Sequence, residues 1–191
     1  MAHFIIITGS PGAGKTTIAT TPITLKGCKV VNVGDIMLEE AKRLKYVDNR
    51  DQIRYMSFKQ LNEVRNRAFS KLSSMRGKVI IDTHDFVEAR GKFTPGLPEE
   101  LLLRLHSIEA FIYIDAGEIE ILARRKKDIS RQREADDEEI IRSQRILNLS
   151  ALAYYSSKLN VPLYIIENRN GQLQSSISKY LSIVEEIFGN K

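Results

Sequence analysis

Gly9-Ser10-Pro11-Gly12-Ala13-Gly14-Lys15-Thr16 is the stretch on which the reading of this chain turns. It matches the pattern G-x-x-x-x-G-K-[ST] at every fixed position. An apolar run, Phe4-Ile5-Ile6-Ile7, precedes it and a helical pattern follows, which is the context the pattern requires. The glycines let the chain fold tightly, so that successive backbone N–H groups point inward at phosphate oxygens beside a helix N-terminus. Phosphate contact is therefore assigned to Gly9, Ser10, Pro11, Gly12, Ala13, Gly14, Lys15 and Thr16, with the adjoining Thr17. Lys15 is expected to reach the β- and γ-phosphates of a nucleotide as a catalytic cation, and the Thr16 hydroxyl to ligate Mg²⁺.

Working outward, apolar strand-sized runs at 4–8, 28–33, 78–82, 110–114 and 163–167 alternate with helical patterns. The helical segments fall at 15–26, 35–45, 50–74, 98–106, 118–128, 137–159 and 173–188. Nearly continuous apolar runs imply strands covered on both faces, as in a parallel sheet. The alternation predicts one three-layer α/β domain over 1–191, with a five-stranded parallel sheet flanked by helices. Pro22 conflicts with the first helix, which it should kink or shorten. Asp136-Asp137-Glu138-Glu139 suits a helix start, and Pro162 ends that helix. Residues 83–98, with Gly91, Pro95, Gly96 and Pro98, read as loop. The helix at 50–74 reads as core packing that presents Arg54.

Composition sets the outer limits. The chain has 191 residues, 42% hydrophobic and 28% charged, enough to bury a core and inconsistent with disorder or a collagen-like repeat. No apolar run approaches the roughly 20 residues of a membrane helix. The N-terminus shows no export signal, so a cytoplasmic setting is expected. A lone cysteine, Cys28, cannot form an internal disulfide and is expected to be a small buried apolar residue. The net charge of +5 is local. Residues 124–133 hold six basic residues and one acid, and the other 23 basic and 23 acidic residues cancel. A nucleic-acid binder spreads its charge over a face or stripe. A short basic segment instead suits a compact, multiply charged ligand, with a solvated helix face as the plainer alternative.

The end of the third strand, Ile81-Asp82-Thr83-His84, decides between classes of phosphate-loop protein. Asp82 is placed to organise Mg²⁺, with a turn cap as the alternative. No Glu follows it to activate water, and no guanine-reading Asn-Lys-x-Asp is present. Transfer to a bound acceptor is therefore favoured over hydrolysis. Transfer requires excluded water, in-line substrates and neutralised charge. The segment 124–136, with Arg124, Arg131 and Arg133 as catalytic cations, reads as a short arginine-rich lid, because guanidinium groups grip phosphate oxygens in pairs. Lys126 and Lys127 read as solvated. Composition and spacing reach a P-loop kinase fold with a basic lid.

Beyond that point the chain resembles a family, the archaeal type of adenylate kinase among the nucleoside monophosphate kinases. The resemblance rests on residues 9–16, Gly34-Asp35-Ile36-Met37-Leu38, Asp48-Asn49-Arg50-Asp51-Gln52-Ile53-Arg54, Ile81-Asp82-Thr83-His84, Pro95-Gly96-Leu97-Pro98 and the basic segment. It implies phosphoryl transfer from MgATP to AMP, a trimer, and Mg²⁺ held through Thr16 and Asp82. It also implies an acceptor-binding segment at 34–75, with Asp35, Arg50, Arg54, His84 and Arg90 as acceptor contacts. Neither a membrane nor a nucleic acid is implied as a partner.

Three departures stand out. Relatives carry a basic residue where Glu88 stands, which leaves Arg90 or Lys92 as its substitute. Glu39 occupies the place of an arginine that follows Gly-Asp-Met-Leu in bacterial adenylate kinases, which leaves Arg54 or Arg50 for the AMP phosphate. Asn148-Leu149-Ser150-Ala151 lacks an arginine found in some relatives, so that contact is missing or moved to Arg142 or Arg145. His84 has a structural reading beside its acceptor one. CMP, UMP or a small hydroxyl metabolite as acceptor, and a nucleotide-dependent RNA-binding factor, are the competing readings.

Overall fold

The chain forms, in order, β1 (Ala2–Gly9), α1 (Lys15–Ala19), β2 (Cys28–Asn32), α2 (Val33–Arg43), a 3-10 turn (Asp51–Tyr55) and α3 (Phe58–Ser73). It continues with β3 (Gly77–Asp82), β4 (Phe86–Ala89), β5 (Lys92–Pro95), α4 (Glu99–Leu102) and β6 (Ile108–Asp115). It ends with α5 (Glu118–Lys127), α6 (Glu138–Leu159), β7 (Leu163–Glu167) and α7 (Leu173–Phe188). This computed structural model describes residues 1–21, 27–89, 91–127 and 137–189. Pro22, Arg90, Asp128, Arg131 and Arg133, and with them most of the expected lid, lie outside the described residues.

Five strands pair in parallel in the order β2-β3-β1-β6-β7, the expected sheet. The apolar runs are continuous because helices cover both faces. Phe4 and Ile6 of β1, Val79 and Ile81 of β3, and Phe111 and Tyr113 of β6 pack with α2, α3 and α6. Their alternates Ile5, Ile7, Ile80, Ile112 and Ile114 pack with α1, α5 and α7. Two-sided burial does not extend to the edges. Val30 of β2 and Ile165 of β7 are exposed, and Cys28 is half-buried rather than buried. The chain turns opposite ways out of β1 and β3, and this switch point places the crevice beyond their carboxyl ends.

Four expectations change, the first being the helix at 15–26, which ends at Ala19. The 50–74 helix is interrupted, because Ser57 and Gln60 form a reciprocal capping box that starts α3 afresh. The 98–106 helix is a single turn, Glu99–Leu102. The stretch read as loop at 83–98 contains an antiparallel hairpin, β4 with β5, paired from Phe86↔Pro95 to Ala89↔Lys92. Other boundaries hold. Asp137 caps α6, and Asn160 ends it in a left-handed conformation just before Pro162.

The hairpin base is anchored by close backbone approach. The Gly96 N–H donates to Asp85 O at 2.6 Å, and a Cβ at Gly96 would lie 2.3 Å from His84 O. The Asp-Thr-His and Pro-Gly-Leu-Pro stretches are thus two sides of one contact. Beneath it the Asp85 carboxyl is fully buried, and neither oxygen makes a hydrogen bond of good geometry. Burial pushes its pKa up to about 7. The neighbouring Thr8 hydroxyl and Lys15 charge pull it back only in part, and the Tyr113 and Tyr155 hydroxyls are the other titratable groups nearby.

Two outcomes follow from this seam. Gly96→Ala should lower Tm by several degrees, since relieving the clash costs on the order of 1–3 kcal/mol; an unchanged thermal melt would show that the backbones part freely. Asp85 holds its proton in the folded chain across a range where the unfolded chain has lost it. Its contribution to stability therefore falls as pH rises from about 4 to about 7 and is level above that. Asp85→Asn should be more stable than wild type at pH 8, by up to about 4 kcal/mol, with the gain vanishing near pH 4. Denaturant melts at the two pH values measure this, and a gain independent of pH would contradict it.

Candidate active site

Three strand ends meet at Asp82. The parallel register sets Asp82 opposite Ile7 on β1 and Asn32 on β2. Its carboxylate, almost wholly buried, pairs with the Lys15 ammonium at the start of α1. The Thr16 hydroxyl donates to Asp82 Oδ2 at 3.3 Å, and Asn32 Nδ2 donates to the same oxygen at 2.7 Å. The residues expected to handle phosphate and metal are therefore one hydrogen-bonded group. A carboxylate and a hydroxyl converging within reach of each other suit Mg²⁺, a hard cation that keeps several waters and takes phosphate oxygens for the rest. Among the described residues there is no cluster of three His, Cys, Asp or Glu side chains that could hold a metal on its own.

The loop 9–16 is clamped from behind. Gly14 has φ 90°, and a Cβ there would lie 2.3 Å from Asn168 Nδ2, so this position needs glycine. Asn168, just past β7, donates through Nδ2 to Ala13 O at 2.7 Å. Arg124 donates to Ala13 O at 3.3 Å and to Asn168 O at 2.8 Å. Arg125, buried, donates from Nε to Pro11 O at 2.6 Å. Ser10 lies buried near the Tyr113 hydroxyl and Asn148. Thr17 is exposed on the first turn of α1. Two of the six cations counted at 124–133 thus face the loop, while Lys126 and Lys127 are exposed. Sequence reasoning found Arg124 but passed over Arg125 and Asn168. Their carbonyl partners are backbone atoms that no side-chain pattern reveals.

A cleft opens from this junction between α2, α3 and the β4–β5 hairpin. Pro11, Asn32, Asp82 and His84 line its inner end, and Met37, Ile53, Leu61 and Val87 its apolar walls. Arg50 lines it too, held by Asn32 Oδ1 at 2.8 Å and Asp35 Oδ1 at 2.6 Å. Asp35 itself is exposed and outside the lining. Arg54 lines the cleft and also lies 3.6 Å from Asp51. His84 contacts Gly9 O through Nδ1 at 3.3 Å, so it meets both the loop and the cleft. Glu88 accepts from Gly91 N–H at 2.7 Å on the hairpin, between Val87 and Ala89, which face the cleft where it does not.

Two other expected substitutes are engaged elsewhere. Arg142 is paired with Glu138 on the surface of α6, and Arg145 grips Asp115 at 2.8 and 2.6 Å. Asn148, the first residue of the stretch that lacks an arginine, accepts from Phe86 N–H at 3.1 Å and braces the hairpin. The cleft also contains Arg65 of α3, buried at 3% exposure, a residue sequence reasoning left to core packing. Its signal was present as an arginine on a helix face otherwise made of Leu61, Val64, Ala68 and Leu72.

Comparison with known proteins agrees with this geometry. A family described as AAA domain matches residues 8–142, from β1 into α6. Adenylate kinase of Pyrococcus horikoshii is 33% identical, over 97% of this chain and 96% of its own. That of Methanopyrus kandleri is 32% identical, over 98% of this chain and all of its own, and that of Thermoplasma acidophilum is 34% identical over 94% and 97%. The shikimate kinase structure from Acinetobacter baumannii aligns over the whole chain and 96% of its own, at TM-score 0.56 and 17% identity, a likeness of fold. With a relative 33% identical over nearly its full length, and the phosphate loop and Asp82 joined as the motifs require, this chain belongs to the adenylate kinase family, of the archaeal type.

Proposed function

We propose that the chain transfers the γ-phosphoryl group of MgATP to AMP, giving two molecules of ADP. The observation that carries this reading is the shared Asp82 junction. The phosphate loop and a cleft lined by Arg50, Arg54 and apolar side chains open onto the same buried carboxylate. A donor on the loop and an acceptor in the cleft would meet end to end there, which in-line displacement demands. One phosphate oxygen of AMP, ionised at neutral pH, bonds to the γ-phosphorus as its bond to the β-bridging oxygen breaks. No general base is needed.

Mg²⁺, bound through Thr16 and Asp82, would supply charge neutralisation on the donor phosphates. Asp82 holds the Lys15 ammonium in place until phosphates arrive as its new partners. Lys15 then neutralises charge that develops in transfer. Arg54 and Arg50 orient the acceptor phosphate. Arg124 keeps the loop in shape, and Arg131 and Arg133 are assigned to close over the phosphates. His84 is assigned to support the loop at Gly9, and Arg90 remains an acceptor contact by resemblance alone.

Lys15→Ala should remain folded and lose about 100-fold or more in kcat, measured by coupled assay with MgATP and AMP. Near-normal turnover would remove Lys15 from the transfer step. Arg54→Ala should raise the KM for AMP about tenfold while the KM for ATP stays put, because a charge-assisted contact contributes on the order of 1.5–3 kcal/mol. If only Arg50→Ala has that effect, the acceptor phosphate lies nearer α2. If neither does, the cleft does not bind a nucleoside monophosphate in this way.

A further inference from the structure

Arg65 is the one cleft cation among the described residues that no hydrogen bond or ion pair accounts for. It lies on α3 one turn past Leu61, nine-tenths buried and more, with Nε buried and unpartnered. Lys15, Arg50 and Arg54 each have an acid, namely Asp82, Asp35 and Asp51. Burial lowers the guanidinium pKa to about 10, still charged at neutral pH, and neither an acid nor another cation contributes to the shift. Arg65 lies on the apolar face of α3 with Leu61, Val64 and Ala68, and pairs with none of the acids that hold Lys15, Arg50 and Arg54. An unpaired buried charge costs stability in the empty protein and is kept where a ligand completes it.

The ligand group that would complete it is not a second phosphate, since Arg65 lies on that apolar face. Met37, Ile53, Leu61 and Val87 offer flat apolar walls for a ring, and a guanidinium fork offers adjacent N–H donors. Such a fork needs two acceptors side by side in the ring plane. Guanine has them at O6 and N7, whereas adenine sets an amino donor beside N7. We propose that Arg65 reads the base of the acceptor nucleotide and turns the cleft toward a 6-oxopurine, so that GMP is an acceptor alongside AMP. This rests on the phosphotransfer reading above. The reaction has the same balance: a GMP phosphate oxygen bonds to the γ-phosphorus, the bond to the β-bridging oxygen breaks, and ADP and GDP leave.

The test measures kcat/KM for GMP and for AMP, with MgATP as donor, in wild type, Arg65→Met and Arg65→Lys. Equilibrium binding of GMP and AMP without donor, and thermal melts of the empty proteins, accompany it. Wild type should phosphorylate GMP. The ratio of GMP to AMP efficiency should fall about tenfold in both variants, because methionine lacks donors and lysine lacks the paired fork. GMP binding should weaken more than AMP binding, and Arg65→Met should melt no lower than wild type, since an unpaired buried charge has been removed. A wild type that phosphorylates AMP but not GMP overturns the inference while leaving the transferase reading intact. So does an unchanged ratio, or an equal loss for both nucleotides accompanied by a lower melting temperature, which marks a structural role. If no monophosphate is phosphorylated, the transferase reading fails and this inference with it.

Discussion

Everything in the site is referred to the buried pair of Lys15 and Asp82. Two opposite charges almost without solvent are unfavourable unless each is well paired, because their lost hydration is large. Asp82 meets that condition with three donors from two elements: Lys15 and Thr16 on α1 and Asn32 at the end of β2. Strand register makes this convergence possible, because Asp82 and Asn32 are direct neighbours across the β2–β3 ladder. A slip of one residue in that ladder would separate the loop from the cleft. The sheet is thus the ruler that holds the phosphate loop and the inner end of the cleft in register.

From that point the structure divides labour between rigid and adaptable parts. The loop is held from behind by Asn168, Arg124 and Arg125, all on its backbone carbonyls, and its Ala13 N–H closes a turn onto Ser10 O. Asn148 and Gln144 of α6 hold Phe86 at the hairpin base through both its N–H and its carbonyl. Polar side chains here do a structural task at the base of the hairpin. The contact of the half-buried Lys71 with the buried Glu40, at 2.7 Å, ties α3 to α2, and its hydrogen bond lowers the Glu40 pKa. The cleft walls are therefore fixed to one another as well as to the sheet.

The cleft departs most from what motifs suggest. Glu88 turns away to cap the hairpin, Asp35 spends its carboxylate on Arg50, and Arg65 fills a place in the apolar stripe of α3. Asp85 adds an unpartnered buried acid under the same hairpin. Unsatisfied buried groups are rare in folded chains and concentrate where function or switching is built. Arg65 lines the cleft, and Asp85 lies buried beneath the hairpin that walls it.

Local chemistry made the fold legible. Apolar runs of strand length, the glycine-spaced loop with Lys15 and Thr16, and the carboxylates before α6 each declare themselves within a few residues, and the parallel order follows from handed crossovers. The same holds for Asp82, whose place at a strand end could be read directly. The capping box at Ser57, a two-residue signal inside an apolar period, was masked by the stronger helical pattern around it. What the sequence alone left open is everything set by contact between distant segments: the inward turn of Arg125, the clamp of Asn168, the hairpin fastened by Gly96, and the loneliness of Arg65. A side chain's type fixes its chemistry, but its partners depend on which backbones the sheet brings within 3 Å, and that is decided only when the whole chain has closed around its two cores.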